Sequence, residues 1–251
     1  MNAFNTTWEL CLNKPYADGG SENSTRVLGK KGWTMEPPLR CAAKVQPPNA
    51  LNNARQQGEY WTVEIALPLA SLAERTGAVA PPRPGDFWRA SFSRVQWAVK
   101  VNPANDTYEK SPSCQSCPEP GSAHEDNWVW SPQYAIQMHQ PETWGILQFE
   151  GPSVNATGAT YYSEWPSRSA AMAIYYAEHA YAKKRGVFTT DMHELLQFSS
   201  EPFPICEVAD TVISLTGEGK DSIFEATVRS PASPGITATV RSDRYLTVVK
   251  T

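Results

Sequence analysis

Three tryptophans and three polar side chains carry the chemistry that this sequence suggests. They lie in two stretches, FWRASFSRVQW and DNWVWSP, in the first 132 residues. Exposed indole rings suit ligands with flat apolar faces, and sugar rings have such faces. Amide and guanidinium groups hydrogen-bond hydroxyl groups. The predicted carbohydrate-binding residues are Trp128, Trp130, Trp97, Arg94, Asn127 and Gln96.

Each of these predictions competes with a structural interpretation. Large aromatic side chains bury well, so the same tryptophans are also candidates for a core. Arg94 falls on the strand side that carries Trp88 and Phe92, and an arginine on an apolar face needs a partner. A structural salt bridge is therefore the alternative to sugar binding for Arg94.

The candidate residues are positioned by short predicted strands. Residues 60–67 alternate Trp61, Val63 and Ile65 on one side, which predicts a half-buried strand followed by a helix at 69–75. A long strand is predicted at 87–99. Pro132 and Pro141 predict a loop between the last two strands of this region. The other predicted elements are strands at 5–12, 26–33, 39–46, 127–130 and 144–149, with an ordered loop at 131–142.

Several stretches in series resemble the carbohydrate-binding module family 9-like domain. They cover roughly residues 2–149 in the order and spacing of that family, and they read NTTWELCLNKPYADGG, WTVEIALPLASL, PGDFWRASFSRVQW, DNWVWSP and MHQPETWG. The resemblance implies a β-sandwich that binds polysaccharide without catalysis, and an arginine in the sugar cleft at the position of Arg94. It also implies structural calcium, although no acid-rich loop identifies the ligands.

The family has further strands before the first motif, so we expect this chain to lack the first part of its domain. We therefore predict a mainly β fold in two domains. Residues 1–150 form a carbohydrate-binding β-sandwich that is truncated at its N-terminus. Residues 151–251 form a small α+β domain with a helix at 167–186, which Ser167 and Gly186 cap. A short helix follows, capped by Thr190 or Asp191, and then strands at 210–216, 222–229, 235–240 and 245–249.

Composition and motifs argue against several functional classes. The chain of 251 residues has a net charge of −4 and no long basic cluster, which gives nucleic-acid binding little support. No apolar run reaches membrane-spanning length. No glycosidase, serine-hydrolase, zinc-protease or phosphate-binding motif is recognisable. Two alternatives to simple sugar binding remain: an accessory part of a glycoside hydrolase, or a sandwich that has lost its sugar site and binds proteins.

The cysteines and the N-glycosylation sequons are relevant to the cellular compartment of the protein. Cys114 and Cys117 form a CxxC pair in a polar loop, which leaves a zinc site, a local disulfide or free thiols open. N-x-S/T sequons at Asn5, Asn23, Asn105 and Asn155 favour secretion. The sequence shows no signal peptide. We expect the protein to act outside the cell or at its surface, in carbohydrate catabolism.

Overall fold

The computed structural model describes residues 1–29, 32–111, 125–135, 138–151, 161–205 and 210–250. Within these residues strands account for 32% and helices for 22%, distributed over several sheets, so the fold is mainly β. The CxxC loop with Cys114, Cys117 and His124 lies outside the described residues. None of the helices described is long and apolar enough to cross a membrane.

The chain divides into two compact units. The N-terminal unit comprises Met1–Ser131 and Phe149–Ser153, and the C-terminal unit comprises Pro132–Gln148 and Val154–Thr251. The chain passes between the units more than once, so a single cut after residue 150 does not reproduce this division. The segment that precedes the predicted boundary belongs mostly to the C-terminal unit.

Short strands and two helices build the N-terminal unit. The elements, in chain order, are β1 (Cys11–Leu12), β2 (Glu22–Asn23), α1 (Thr25–Leu28), β3 (Arg40–Gln46), β4 (Tyr60–Ala66), α2 (Leu69–Thr76), β5 (Phe87–Ala90), β6 (Ser93–Trp97), β7 (Val99–Asn102), β8 (Thr107–Lys110) and β9 (Glu125–Val129). Antiparallel ribbons join β1 to β2, β3 to β4, β6 to β9 and β7 to β8. Gly77, in the left-handed conformation, ends α2 one residue beyond the predicted helix at 69–75.

The prediction of a half-buried strand at 60–67 is wrong in one respect. The period-two pattern is present, since Trp61, Val63 and Ile65 face Val45, Ala43 and Cys41 across the β3–β4 ribbon. However, all seven residues of β4 are exposed. Alternation fixes which side chains share a face, but burial also needs a second layer, which sequence periodicity does not specify.

The predicted strand at 87–99 is also wrong, because it is three strands. Breaks at Ser91–Phe92 and at Ala98 separate β5, β6 and β7. The breaks redirect the chain, so that β6 pairs with β9 whereas β7 pairs with β8. The strand predicted at 26–33 is likewise wrong at its start, where α1 forms instead, with the amide of Leu28 donating to the Ser24 carbonyl (3.0 Å).

The C-terminal unit is a helix packed on an antiparallel sheet. Its elements are β10 (Gly145–Gln148), α3 (Trp165–Arg185), α4 (Met192–Leu196), β11 (Thr211–Thr216), β12 (Ile223–Arg229), β13 (Ile236–Arg241) and β14 (Leu246–Lys250). The last four strands form one sheet in the order β11–β12–β13–β14. These bounds lie within two residues of the predicted ones.

The core of this unit lies between α3 and the sheet. Alternate residues of β12 and β13, including Phe224, Val228 and Val240, are buried against apolar residues of α3 such as Ile174 and Tyr175. The alternation gives the sheet one apolar face, which α3 covers. Burying this face supplies the main stabilisation of the unit.

The helix start differs from the prediction. Ser167 does not cap α3, because the helix begins earlier, after Glu164, with Pro166 in its first turn. Proline is tolerated there because the first turn has no intrahelical acceptor for its missing N–H. The hydroxyl of Ser167 is instead fully buried and donates to the Ile236 carbonyl (2.8 Å). The predicted C-terminal cap at Gly186 is confirmed by its left-handed conformation.

Asp191 caps α4, and its loss is expected to destabilise the C-terminal unit by about 1 kcal/mol. Its Oδ1 accepts hydrogen bonds from the backbone amides of His193 (2.8 Å) and Glu194 (3.4 Å). We expect Asp191→Ala to lower the midpoint of urea unfolding, followed by circular dichroism. Asp191→Asn keeps a capping oxygen and serves as the control. Equal midpoints for Asp191→Ala and the wild type would contradict this role.

Candidate functional site

All six predicted binding residues lie on or beside the ribbon of β6 and β9. In its register Arg94 is opposite Trp128, Val95 is opposite Asn127, and Gln96 is opposite Asp126. Trp97 ends β6, and Trp130 follows β9 directly. The ribbon therefore brings together residues that are about thirty positions apart in the sequence.

Cross-strand pairs place part of this set on one face. The hydrogen bond from the Trp130 amide to the Phe92 carbonyl (3.0 Å) extends the register by one further pair. Because side chains alternate along a strand, every second pair shares a face. One face thus carries three cross-strand pairs, here called the Trp128 face: Phe92 with Trp130, Arg94 with Trp128, and Gln96 with Asp126.

Trp128 is the most exposed indole of this face, with 58% of its surface open to solvent. The guanidinium carbon of Arg94 lies 4.7 Å from the centre of the Trp128 ring. Arg94 also donates from Nη2 to Oε1 of Gln96 (2.7 Å). These two contacts orient the guanidinium group of Arg94, which remains exposed to solvent. These contacts place a cation over one face of the indole, while more than half of the Trp128 surface stays accessible.

Trp130 is held more firmly than Trp128. Its indole Nε1 donates to the Ala90 carbonyl (3.1 Å), and its ring meets Phe92 edge to face with 5.5 Å between the ring centres. Even so, 47% of Trp130 and 54% of Phe92 remain exposed. Edge-to-face contact of this kind orients aromatic rings. The pair forms a rigid apolar surface next to Trp128.

The other predicted residues point away from the Trp128 face. Trp97 and Asn127 share the opposite side of the ribbon with Val95. There the ammonium of Lys110 lies 3.6 Å from the centre of the Trp97 ring. Trp97 is half-buried. The structure therefore divides the six candidates, with Trp128, Trp130, Arg94 and Gln96 on one side and Trp97 and Asn127 on the other.

Sequence reasoning missed two residues of the Trp128 face, Phe92 and Asp126. Alternation alone places Phe92 on the same side as Arg94 and Gln96. Asp126 can be assigned to this face only from the strand register, in which it is opposite Gln96. The signal that could have found both is the pairing of FSRVQ with DNWVW, read as an antiparallel ribbon.

The arrangement can bind a ligand that has one flat apolar side and several hydroxyl groups. The indoles supply the apolar contact, while the guanidinium, amide and carboxylate supply hydrogen-bond donors and acceptors. All three polar side chains reach solvent to some degree. The face is therefore suited to recognition of a ligand by contact.

Metal binding finds no additional support in the described part of the chain. No three His, Cys, Asp or Glu side chains gather there into a group that would hold a metal ion. Calcium takes six to eight oxygen ligands in proteins. The calcium expected from the family resemblance thus has no assigned ligands.

The C-terminal unit contains a separate, largely buried charge cluster of Glu142, Tyr176 and Arg244. The Tyr176 hydroxyl and the Arg244 guanidinium both bond Oε1 of Glu142, and Arg244 also donates to the Tyr176 hydroxyl (3.0 Å). Burial and the adjacent Glu142 carboxylate raise the pKa of Tyr176. Because each polar group already has partners, the cluster is best explained as a structural tie between α3, the β13–β14 turn and the segment at 141–143.

Comparison of the chain with models of protein families, with curated proteins and with solved structures gives no match.

Proposed function

We propose that the chain binds carbohydrate without catalysis, and that a sugar ring stacks on Trp128. The proposal includes a family 9-like β-sandwich for the N-terminal unit, as the sequence motifs suggest. One observation carries it: an exposed indole has a guanidinium over one face and leaves the rest of its surface open, with further aromatic and polar side chains in the same cross-strand series.

The physical argument concerns complementarity. A pyranose ring offers C–H groups on its faces and hydroxyl groups around its edge. Trp128 would cover one face of the ring, and Trp130 with Phe92 would extend the apolar contact to a neighbouring sugar unit. Arg94, Gln96 and Asp126 would bond the edge hydroxyls. The ligand would then be an oligosaccharide or polysaccharide rather than a monosaccharide alone.

The wider role follows from the ligand class. We propose that the protein acts at the cell surface or outside the cell, in the use of polysaccharides, as a binding module or as the accessory part of a glycoside hydrolase. The sequons and the family resemblance support this assignment.

The test is calorimetric titration of the full chain with D-glucose, cellobiose, xylobiose and N,N′-diacetylchitobiose. We expect Trp128→Ala to weaken binding of the active sugar roughly 30-fold, corresponding to about 2 kcal/mol for removal of a central aromatic contact. Trp97→Ala is the matched control, since it removes an indole from the opposite side of the same ribbon.

The control separates loss of a site from loss of the fold. Equal weakening by Trp97→Ala and Trp128→Ala, or no binding of any sugar by the folded wild type, would contradict the proposal. Circular dichroism of each variant would establish that the ribbon variants remain folded.

One observation favours a second candidate, binding of a protein partner. The apolar side of the β3–β4 ribbon exposes 42% of Val63 and 50% of Ile65. Contiguous exposed apolar surface often marks an interaction site. Val63→Asp is expected to leave sugar binding at the Trp128 face intact but to lower the sedimentation coefficient by dissociating a self-associated complex. An unchanged assembly state over a wide range of concentrations would rule out self-association through this side.

A further inference from the structure

A cavity of about 300 Å³ lies at one end of the β3–β4 ribbon, apart from the Trp128 face. Val45 and Trp61, which are opposite each other in the ribbon, both line it. Leu51, Asn52 and Glu59 also contribute to its walls. Its volume is at the lower end of the range for small-molecule sites in proteins, which is about 300–1,000 Å³. A single pyranose ring is a ligand of suitable size.

The loop before β4 shapes this cavity. A 3₁₀ turn at Pro48–Ala50 brings the chain back toward the start of the strand. A Cβ atom at Gly58 would lie only 3.6 Å from that of Ala50, so the two segments are in close contact. Trp61 retains 39% of its surface exposed. Trp61 and this loop therefore line the same cavity.

Two polar side chains at the cavity have hydrogen-bonding capacity to spare. Oδ1 of Asn52 accepts from the Tyr108 amide (2.9 Å), which fixes the side chain, whereas its Nδ2 has no partner within the described ranges. Glu59 donates its backbone amide to the Gln46 carbonyl (2.9 Å), and its exposed carboxylate bonds no described residue. Asn52 and Glu59, which supply this donor and this acceptor, line the same cavity as Trp61.

We propose that this cavity is a second carbohydrate subsite, which takes one pyranose ring against Trp61. Nδ2 of Asn52 donates to a ring hydroxyl, and the Glu59 carboxylate accepts from another. The ligand class rests on the function proposed above, but the residues are different and the subsite is independently testable. A chain with two subsites would bind a polysaccharide at two places, which strengthens binding by effective concentration.

The experiment is calorimetric titration of the full chain with D-glucose and cellobiose, with stoichiometry as the readout. Asn52→Asp is the informative variant. It keeps Oδ1 for the Tyr108 amide and tolerates the positive φ of 47° at this position, but it replaces the Nδ2 donor by an acceptor. Glu59→Gln removes the charge and keeps the shape. Neither substitution alters the apolar side of the ribbon, so we expect both variants to fold, which circular dichroism would check.

We expect two equivalents of sugar for the wild type, and one equivalent for Asn52→Asp with at least a tenfold loss of affinity at this subsite. Glu59→Gln should weaken the same equivalent. If the wild type binds one equivalent that Trp128→Ala removes and Asn52→Asp leaves unchanged, the second subsite is overturned and the first proposal stands. One equivalent that depends on Asn52 but not on Trp128 supports this cavity and overturns the Trp128 face. No binding overturns both.

Discussion

Arg244→Ala is expected to lower the free energy of unfolding of the C-terminal unit by about 3 kcal/mol, because it breaks a largely buried ion pair. The side chains of Arg244 and Glu142 are only 11% and 12% exposed. The guanidinium carbon also lies 4.7 Å from the centre of the Tyr175 ring and 5.4 Å from that of Tyr176. Removal of Arg244 would leave the carboxylate of Glu142 buried with the Tyr176 hydroxyl as its remaining partner in the cluster.

Arg241 offers a matched control in the same turn. It pairs with Asp243, but the two side chains are 51% and 54% exposed, so solvent screens the attraction. Exposed pairs contribute less than about 1 kcal/mol. Urea unfolding, followed by circular dichroism of the helices, measures both variants. Equal destabilisation by Arg241→Ala and Arg244→Ala would show that burial of the ion pair is unimportant.

The backbone at Arg244 provides a second comparison. Its φ of 72° lies in the left-handed region, where any residue with a Cβ atom is strained and glycine is not. Arg244→Gly should therefore be less destabilising than Arg244→Ala, by roughly 1 kcal/mol. An equal loss in the two variants would indicate that the turn relaxes once the guanidinium is gone.

The wild type is expected to become less stable as the pH rises, because of Glu178. The Glu178→Gln variant is expected to lack this pH dependence. Glu178 is fully buried in α3, and its Oε2 accepts from the Thr189 amide (3.1 Å). Its Oε1 has no hydrogen-bond partner among the residues that the structure describes. Burial raises the pKa of this carboxyl to about 7, and the Thr189 amide offsets only part of that effect.

The direction of this pH effect on stability follows from the number of protons that the folded and unfolded states bind. The carboxyl titrates near 4.5 when unfolded and near 7 when folded, so the folded state binds more protons between these values. The stability linked to Glu178 is fully present below pH 4.5, falls as the pH rises, and is lost above pH 7. The total change is about 3 kcal/mol.

The measurement is urea unfolding at several pH values between 4 and 8, with wild type and Glu178→Gln compared at each pH. Other carboxyl groups, including those of Glu164 and Asp243 with their lowered pKa values, cancel in this difference. Glu225→Gln on β12 removes an exposed carboxyl and should follow the wild type. Parallel pH profiles for Glu178→Gln and the wild type would mean that Glu178 is hydrated in the folded state.

The C-terminal unit was largely predictable because its signals are local. Gly186 ends a helix through its own backbone conformation, and Asp191 caps the next helix through its own side chain. The apolar alternation in β12 and β13 specifies a sheet with one buried face. The exception is Ser167, whose hydroxyl bonds Ile236 far along the chain and so gives no local signal.

The N-terminal unit was less predictable because its features depend on distant partners. The separation of β6 from β7 follows from their pairing with two different segments, and no residue type at the breaks indicates it. The same is true of the candidate site. Alternation places Arg94 and Gln96 together and separates Trp128 from Asn127, but only the register with β9 puts Trp128 on the side of Arg94 and adds Asp126.

The central claim is that a sugar contacts the Trp128 face, and nuclear magnetic resonance of the indole N–H groups tests it most directly. The chain has nine tryptophans, and single Trp→Phe variants would assign their signals. During titration with cellobiose we predict that, among the three tryptophans of the β6–β9 ribbon, Trp128 shows the largest shift and Trp130 a smaller one, because Nε1 of Trp130 already donates to the Ala90 carbonyl. The Trp97 signal should remain in place. A shift of Trp97 with none at Trp128 and Trp130 would contradict the account.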